Sequence, residues 1–133
     1  MSDLSLGPKV CNFGSNLIQS YFSKLIFHIE GYHVEEDIEH IHQMRVSTRR
    51  LRSIIPLFNY CFPQNDNKWL LSIKVLTKAL GPARDADVQI LKVNELLKNL
   101  PERQYYSGIH RIRTRLKQKR DSLQPQVNAS LIV

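Results

Sequence analysis

The middle of the chain contains a row of basic residues whose spacing favours binding of phosphate or other oxyanions. On an α-helix, which turns about 100° per residue, they fall within an arc of about 80° and extend over about 15 Å. Planar guanidinium groups match phosphate oxygens with paired donors, so a row of them suits several successive anions better than one small ligand. We call this row the basic stripe; its members are His42, Arg45, Arg49 and Arg52.

The surroundings of the basic stripe leave two further interpretations open. No acidic residue occurs from Val46 to Asn65, so nothing in this part of the helix neutralises the arginines. The stripe could still be a solvated basic face, or its arginines could pair with acids of neighbouring helices. Arg50 lies off the arc. The apolar residues that adjoin the stripe are expected to face the core, and they are Ile41, Met44, Leu51 and Ile55.

A second row of basic residues with the same spacing occurs closer to the C-terminal end of the chain. It also borders apolar residues, so the two rows could face one another across a groove. The match is weaker support than the basic stripe, because basic residues are frequent in this segment. We call this row the secondary basic edge; it consists of His110, Arg113, Lys117 and Arg120.

Two aspartates follow a Gly-Pro pair between two predicted helices. Asp85 and Asp87 are expected in a first helical turn, where carboxylates interact well with free backbone amides. Two positions apart, they point in different directions and make a poor acid/base pair. We expect them to orient basic side chains such as the arginines of the basic stripe; the alternative is a helix start favoured by the dipole. No metal or other cofactor is predicted, since no further carboxylate falls at ligand spacing.

Length and composition indicate one globular domain with an anionic partner. The 133 residues are 42% apolar, and the net charge of +7 favours nucleic acid, a phosphate polymer or an acidic membrane surface. No stretch approaches the roughly 20 apolar residues of a membrane span, and the N-terminus does not resemble a signal peptide. Cys11 and Cys61 show no disulfide-framework pattern, so we expect inert or buried cysteines in a reducing cytoplasm.

Periodicity and turn residues predict an all-α protein, an antiparallel helical bundle of about five helices with short connections. Gly14 helps to cap the first helix and Gly31 ends it, while Pro56 should kink or end the second. Gly81 suits the end of the third helix and Pro82 the first turn of the fourth. The predicted helices cover 16–29, 35–56, 68–80, 83–99 and 102–123, within a domain at 14–124 that has tails at 1–13 and 125–133.

Two segments resemble the CHAD family, the conserved histidine α-helical domain. One contains the basic stripe, and the other, which we call the aspartate motif, contains Asp85 and Asp87. Residues 42–52, HQMRVSTRRLR, are similar to its HxxRVxxRRLR signature, and residues 80–88, LGPARDADV, to its LGxxRDxDV motif. The order of the two motifs and the helix-length gap between them make the pair specific. The resemblance covers about the first of the family's two pseudo-symmetric helical halves, and Pro56 interrupts a helix that usually continues.

The resemblance implies an all-helical domain that binds inorganic polyphosphate along a basic surface and is associated with polyphosphate granules. Carried over by position, it implies that the two aspartates of the second motif support the binding residues. The implied polyphosphate-binding residues are His42, Arg45, Arg49, Arg50, Arg52, Lys74, Lys78 and Arg84, with Asp85 and Asp87 in the supporting role.

These observations predict a non-enzymatic polyphosphate-binding module that resides in the cytoplasm, at polyphosphate granules. The alternative is a basic helical protein that binds nucleic acid, although no recognition-helix signature is present. Catalysis by His42 is disfavoured, because the sequence has no glycine-rich phosphate loop and no nucleophile–base arrangement. Because the chain ends abruptly and covers about half of the family's domain, we also expect a homodimer in which a second copy replaces the missing half.

Overall fold

The computed structural model describes residues 7–65 and 67–131, and over these residues the protein is all-α. The described part has four α-helices rather than about five. Residues 1–6 and 132–133 of the predicted tails, and Asp66 of a predicted loop, lie outside it. The helices are α1 (Gly7–Val34), α2 (Ile38–Leu57), α3 (Lys68–Asn99) and α4 (Tyr106–Ser130), with 3-10 turns at Asn59–Cys61, Pro63–Asn65 and Arg103–Tyr105.

Two glycines of α1 allow the helix to approach α2 closely. The sequence predicted a cap near Gly14 and a helix end at Gly31, but both lie inside α1, and no described glycine has positive φ. A Cβ atom on Gly31 would stand 2.5 Å from Cε1 of His40, and one on Gly14 would overlap the Phe58 ring. The predicted helix boundaries were wrong because these glycines serve close packing rather than termination.

The helices α1 and α2 form an antiparallel pair, which we call the first hairpin. Their contacts join residues that lie 12, 29 and 50 positions apart, as expected when two helices run back alongside each other. Pro56 lies in the last turn of α2, which ends at Leu57 as the sequence predicted. The three contacts are His28 with His40, Tyr21 with Arg50, and Cys11 with Cys61.

The two cysteines form a disulfide bond, with their Cα atoms 5.6 Å apart. The expectation that they take part in no disulfide was therefore wrong. The expectation failed because α1 is longer than predicted and begins at Gly7. Cys11 therefore lies on this helix, opposite the turn that follows α2. Disulfides are typical of oxidising compartments, so cysteine usage no longer supports a reducing cytoplasm.

The predicted third and fourth helices are one continuous helix, α3. Gly81 and Pro82 lie in its interior, although proline lacks the backbone donor of a regular helical residue. The neighbouring Leu80, Ala83 and Ala86 are all buried, which favours continuation of the helix through this point. The aspartate motif consequently lies in the middle of a helix and not in a first turn.

Residues 79–99 of α3 and the helix α4 form a second antiparallel pair, the second hairpin. Its contacts join residues 6, 19 and 33 positions apart. The chain divides into two compact units between Lys78 and Ala79, so the first hairpin and the second hairpin belong to different units. None of the described helices is long and apolar enough to cross a membrane. The contacts are Tyr106 with Leu100, Arg113 with Asn94, and Arg120 with Asp87.

Candidate anion-binding site

The helix α2 positions the basic stripe along one side. It begins with Asp37 as N-cap, whose Oδ1 accepts a hydrogen bond of 2.8 Å from the backbone N of Glu39. The carboxylates of Asp37 and Glu39 lie at the N-terminus of α2, where the helix dipole favours negative charge. The basic residues occupy the later turns. The predicted apolar face is confirmed, since Ile41, Met44, Leu51 and Ile55 are all buried.

The members of the basic stripe differ in exposure, but they share the lack of an acidic partner. Arg49 and Arg52 are exposed, whereas His42 and Arg45 are half-buried. Within the described residues, none of the four forms an ion pair. The described acids of the first unit all fall between positions 30 and 39, at the connecting end of the first hairpin. Among the described residues, carboxylates of neighbouring helices therefore do not neutralise the basic stripe.

Arg45 carries buried hydrogen-bond donors. Its Nε and Nη1 atoms are inaccessible to solvent and have no hydrogen-bond partner among the described residues. A buried donor without an acceptor costs about 1–3 kcal/mol, and more on a charged group. Most folded proteins avoid this cost, so such a group is informative about function. An oxyanion would reach these atoms after a shift of the side chains that cover them, and it would then supply the acceptors that the described residues do not.

Further predicted cations of the first unit lie outside the stripe. Arg50 is exposed and faces α1, where its Nη1 donates a hydrogen bond of 3.2 Å to the hydroxyl of Tyr21. Lys74 and Lys78 are exposed one turn apart on α3. The sequence from 68 to 84 contains no acidic residue, so these lysines also lack acidic neighbours on their own helix.

Asp87 of the aspartate motif contacts a basic side chain, as predicted, but its position in the fold and its partner differ from the prediction. Because it lies inside α3, it meets no free amides of a helix start. Asp85 is exposed, whereas Asp87 is buried and its Oδ1 accepts a 2.9 Å hydrogen bond from Nε of Arg120. Arg84 is half-buried and interacts electrostatically with Asp87. The partner found for Asp87 is therefore an arginine of α4, not one of the basic stripe.

Burial dominates the electrostatics of Asp87. It raises the pKa of this carboxyl above its ordinary value of 3.8, although Arg120 and, to a smaller extent, Arg84 act in the opposite direction. The Oδ2 atom is buried without a hydrogen-bond partner among the described residues, which adds to the cost of the charged form. The pair is a structural contact inside the second hairpin.

The secondary basic edge is largely engaged within the second hairpin. Arg113 donates to Oδ1 of Asn94 at 3.2 Å and to Nδ1 of His110 at 2.9 Å. Arg120 donates to Gln124 as well as to Asp87. Lys117 is exposed. Arg113 and Arg120 thus donate hydrogen bonds to other side chains of the second hairpin. This makes the secondary basic edge a poorer anion site than the basic stripe.

Sequence reasoning missed a histidine pair in the first hairpin. The Nδ1 atoms of His28 and His40 lie 3.0 Å apart, so one ring donates a hydrogen bond to the other. Burial lowers the pKa of His28 below 6.5, and His40 lowers it further, while Glu39 raises it. Only the antiparallel register of α1 and α2 brings these residues together, and no sequence spacing on one helix indicates it.

Comparison with known protein families matches residues 16–132 to the CHAD domain. The chain belongs to the CHAD family. Searches of curated proteins and of solved structures gave no match. Both motifs that carried the resemblance lie on helices of this CHAD chain, the first on α2 and the second inside α3. That the chain corresponds to half of a pseudo-symmetric CHAD domain stays a prediction.

Proposed function

We propose that this CHAD chain binds inorganic polyphosphate along the basic stripe of α2. The observation that carries the proposal is a row of cations without ion pairs among the described residues, one of which, Arg45, holds buried donors with no acceptor. Phosphate oxygens accept charge-assisted hydrogen bonds from guanidinium groups, each contributing about 1.5–3 kcal/mol when desolvated. The predicted role of Lys74, Lys78 and Arg84 in the same binding belongs to this proposal.

A polymer suits the stripe better than a single phosphate. The stripe extends over about 15 Å of helix, which is enough for several successive phosphates. Binding should be multivalent, should increase with polymer length, and should weaken as salt rises through the loss of counterion release. Orthophosphate would contact one or two cations only and should bind far more weakly.

The proposed role is binding without catalysis. Asp87 already accepts a hydrogen bond from Arg120, and Asp85 is exposed at a different angle on α3, so neither supports a paired acid/base site. Polyphosphate incubated with the protein should therefore keep its chain length on a gel. Shortening of the polymer that disappears in His42→Gln would show that the stripe is catalytic.

The direct test is a titration of long-chain polyphosphate, single-stranded DNA and orthophosphate at equal phosphate concentration and moderate salt. The proposal predicts that polyphosphate binds more tightly than DNA, by at least about tenfold, and that orthophosphate binds weakest. Equal binding of DNA and polyphosphate would leave only a generic basic surface, as in the nucleic-acid alternative.

A matched pair of double variants tests where the polymer binds. Arg45→Ala with Arg49→Ala removes two charges one helical turn apart from the stripe. Arg111→Ala with Arg115→Ala removes two charges at the same spacing from α4, where both are exposed. The first pair should weaken polyphosphate binding by more than about tenfold and the second by less than about threefold. Equal losses would exclude a site on the stripe.

We further propose that two chains associate into a homodimer. The first unit exposes an apolar groove of about 530 Å³ between α1 and the start of α3, lined by Phe22, Ile26, Phe62 and Trp69 among others. Light scattering should give twice the chain mass, and Ile26→Lys should lower it to that of one chain. A monomeric mass well above micromolar concentration would overturn the dimer.

We also propose residence in the cytoplasm at polyphosphate granules, on the basis of polyphosphate binding alone. The Cys11–Cys61 disulfide argues for an oxidising environment, so the oxidation state of the two thiols in intact cells is the deciding measurement. Free thiols together with co-localisation with stained granules would support the proposal. A fully oxidised pair would place the protein elsewhere.

A further inference from the structure

A groove between α1 and α2 combines apolar walls with basic groups. It has a volume of about 550 Å³, within the range of small-molecule sites. Both walls belong to the first hairpin. The apolar lining consists of Leu17 on α1 with Val46 and Ile54 on α2, and all three are half-buried.

The polar side of this groove is built around Tyr21. Its hydroxyl accepts the hydrogen bond from Arg50, and the Arg50 guanidinium carbon lies 5.8 Å from the centre of its ring. The Nζ atom of Lys24 lies 5.2 Å from the same ring centre. Arg49 and Ser53 complete this side of the groove. The tyrosine thus holds Arg50 at the groove by a hydrogen bond and a cation–π contact, and its ring also contacts Lys24, which lies outside the groove lining.

No carboxylate balances these cations. The sequence of α1 up to Ile29 and that of α2 from His40 onward contain no Asp or Glu. Among the described residues, Lys24, Arg49 and Arg50 form no ion pair. The groove therefore carries a positive potential, and an anion would bind there without displacing a carboxylate of the described residues.

The apolar half of the groove indicates a ligand other than inorganic polyphosphate. A chain of phosphates has no apolar part and would leave Leu17, Val46 and Ile54 uncovered. A ligand that carries phosphate and an apolar, flat organic group would use both halves, since small-molecule sites pair apolar walls with a few polar groups. The planar Arg50 guanidinium can also stack on an aromatic ring.

We propose that this groove binds an organic phosphate of the nucleotide class. Arg49 and Arg50 contact the phosphates, and the base and sugar cover Leu17, Val46 and Ile54. The inference does not depend on polyphosphate binding by the basic stripe, because its distinguishing feature is the apolar wall. Arg49 belongs to both the groove and the basic stripe, and Arg50 is also among the residues that the CHAD resemblance assigns to polyphosphate binding.

The test compares ATP with inorganic tripolyphosphate by calorimetry, in the absence of divalent metal. Both carry a triphosphate, so any difference in affinity reports the nucleoside. The proposal predicts that ATP binds at least about tenfold more tightly. Equal affinities, or tighter binding of tripolyphosphate, would overturn it and show that the surface recognises charge only.

A pair of serine variants locates the ATP site without changing any charge. Ser53→Phe places a ring in the groove, whereas Ser72→Phe places the same ring on an exposed position of α3. The preference for ATP should disappear in the first variant and persist in the second, with circular dichroism showing both folded. A preference that persists in Ser53→Phe would place the nucleotide elsewhere and overturn the assignment.

This outcome is separable from that of the polyphosphate proposal. The ratio of ATP to tripolyphosphate affinity reports the groove, whereas the discrimination between long-chain polyphosphate and DNA by Ser53→Phe, whose groove is filled and whose stripe is unchanged, reports the stripe. Either result can fail while the other holds.

Discussion

The two hairpins contain the same basic spacing but use it differently. In the first hairpin, the basic stripe has no acidic partner among the described residues. In the second hairpin, the arginines with the equivalent spacing contact side chains of α3, namely Asn94 and Asp87. The spacing on one helix therefore does not decide whether a basic row binds a ligand. It depends on the facing helix, which either has side chains that accept hydrogen bonds from the basic row or lacks them.

The distribution of acids explains this difference. In the first hairpin, the described acids cluster near the connection between α1 and α2, far along the helices from Arg49 and Arg52. In the second hairpin, acids occur at Asp85, Asp87 and Glu95 on α3 and at Asp121 on α4, and Asp87 lies buried opposite Arg120. A basic row remains available to an external anion only where its partner helix is acid-free, as α1 is up to Ile29.

The largest effect is expected from breaking the internal pair of the second hairpin. Asp87→Ala leaves the guanidinium of Arg120, whose side chain is only 12% exposed, without its carboxylate. Loss of one partner of a buried pair should lower the free energy of unfolding by about 3 kcal/mol. Urea denaturation measures this, with Asp85→Ala at the exposed aspartate as control, expected within about 0.5 kcal/mol of the parent. Similar losses in both variants would contradict a buried structural pair.

A smaller effect of opposite sign is expected at Arg45 in the first hairpin. Arg45→Met removes buried donors that have no acceptor among the described residues and keeps an apolar side chain in their place. The free energy of unfolding should rise by about 1 kcal/mol, while polyphosphate binding weakens.

The exposed Arg49 provides the control for this prediction. Arg49→Met should weaken polyphosphate binding without any gain in stability, because its guanidinium is hydrated in the free protein. Destabilisation by Arg45→Met would mean that the buried donors have acceptors in solution and would remove the main support for the stripe as a site.

The smallest effect concerns pH, where the hairpins should respond with opposite signs. The pKa of His28 is lowered on folding, so the unfolded chain takes up the proton more readily and stability falls as pH falls through about 6.5. The pKa of Asp87 is raised, so the folded chain takes up the proton more readily and stability gains as pH falls from that raised value toward 3.8. After solvent screening, the contribution of His28 should be a few tenths of a kcal/mol.

Variants that lack one of the two titrating side chains separate the contributions of His28 and Asp87 to the pH dependence of stability. His28→Gln should flatten the change in unfolding free energy between about pH 7.5 and about pH 5.5, and Asp87→Asn should flatten it at lower pH. His28 faces His40 and Glu39, so the same measurement on Glu39→Gln should steepen the loss toward acid, since Glu39 raises the pKa of His28. No change of slope in His28→Gln would exclude the histidine pair as a source of pH dependence.

Much of the fold and the stripe could be predicted from local pattern. The basic stripe and its buried neighbours follow from helical periodicity, and Pro56 ends α2 as proline chemistry requires. The helix boundaries that were predicted wrongly at glycines share one cause. Gly31 and Gly81 were interpreted as helix ends, but a glycine inside a helix looks the same in sequence as one that follows it, and only a packing partner such as His40 distinguishes the two.

The candidate site could be predicted less completely than the fold. That Arg45 holds buried, unpaired donors depends on burial, and burial depends on neighbours that spacing does not reveal. The partner expected for Asp87 was wrong for the same reason, because the arginine that it contacts lies 33 positions away on α4. Tyr21 gave no signal of its own, since a tyrosine on an amphipathic helix is ordinary until Arg50 and Lys24 are found beside it.

The sequence by itself determined the all-α class, the charge and the membership of the CHAD family, because periodicity, composition and the two motifs are properties of short segments. The tertiary structure decided which cations have partners, because pairing requires residues from different helices. It also decided the pairing of Cys11 with Cys61 and of His28 with His40, which depends on the antiparallel register of α1 and α2. Close packing at Gly14 against Phe58 and at Gly31 against His40 favours this register, and no local pattern encodes it.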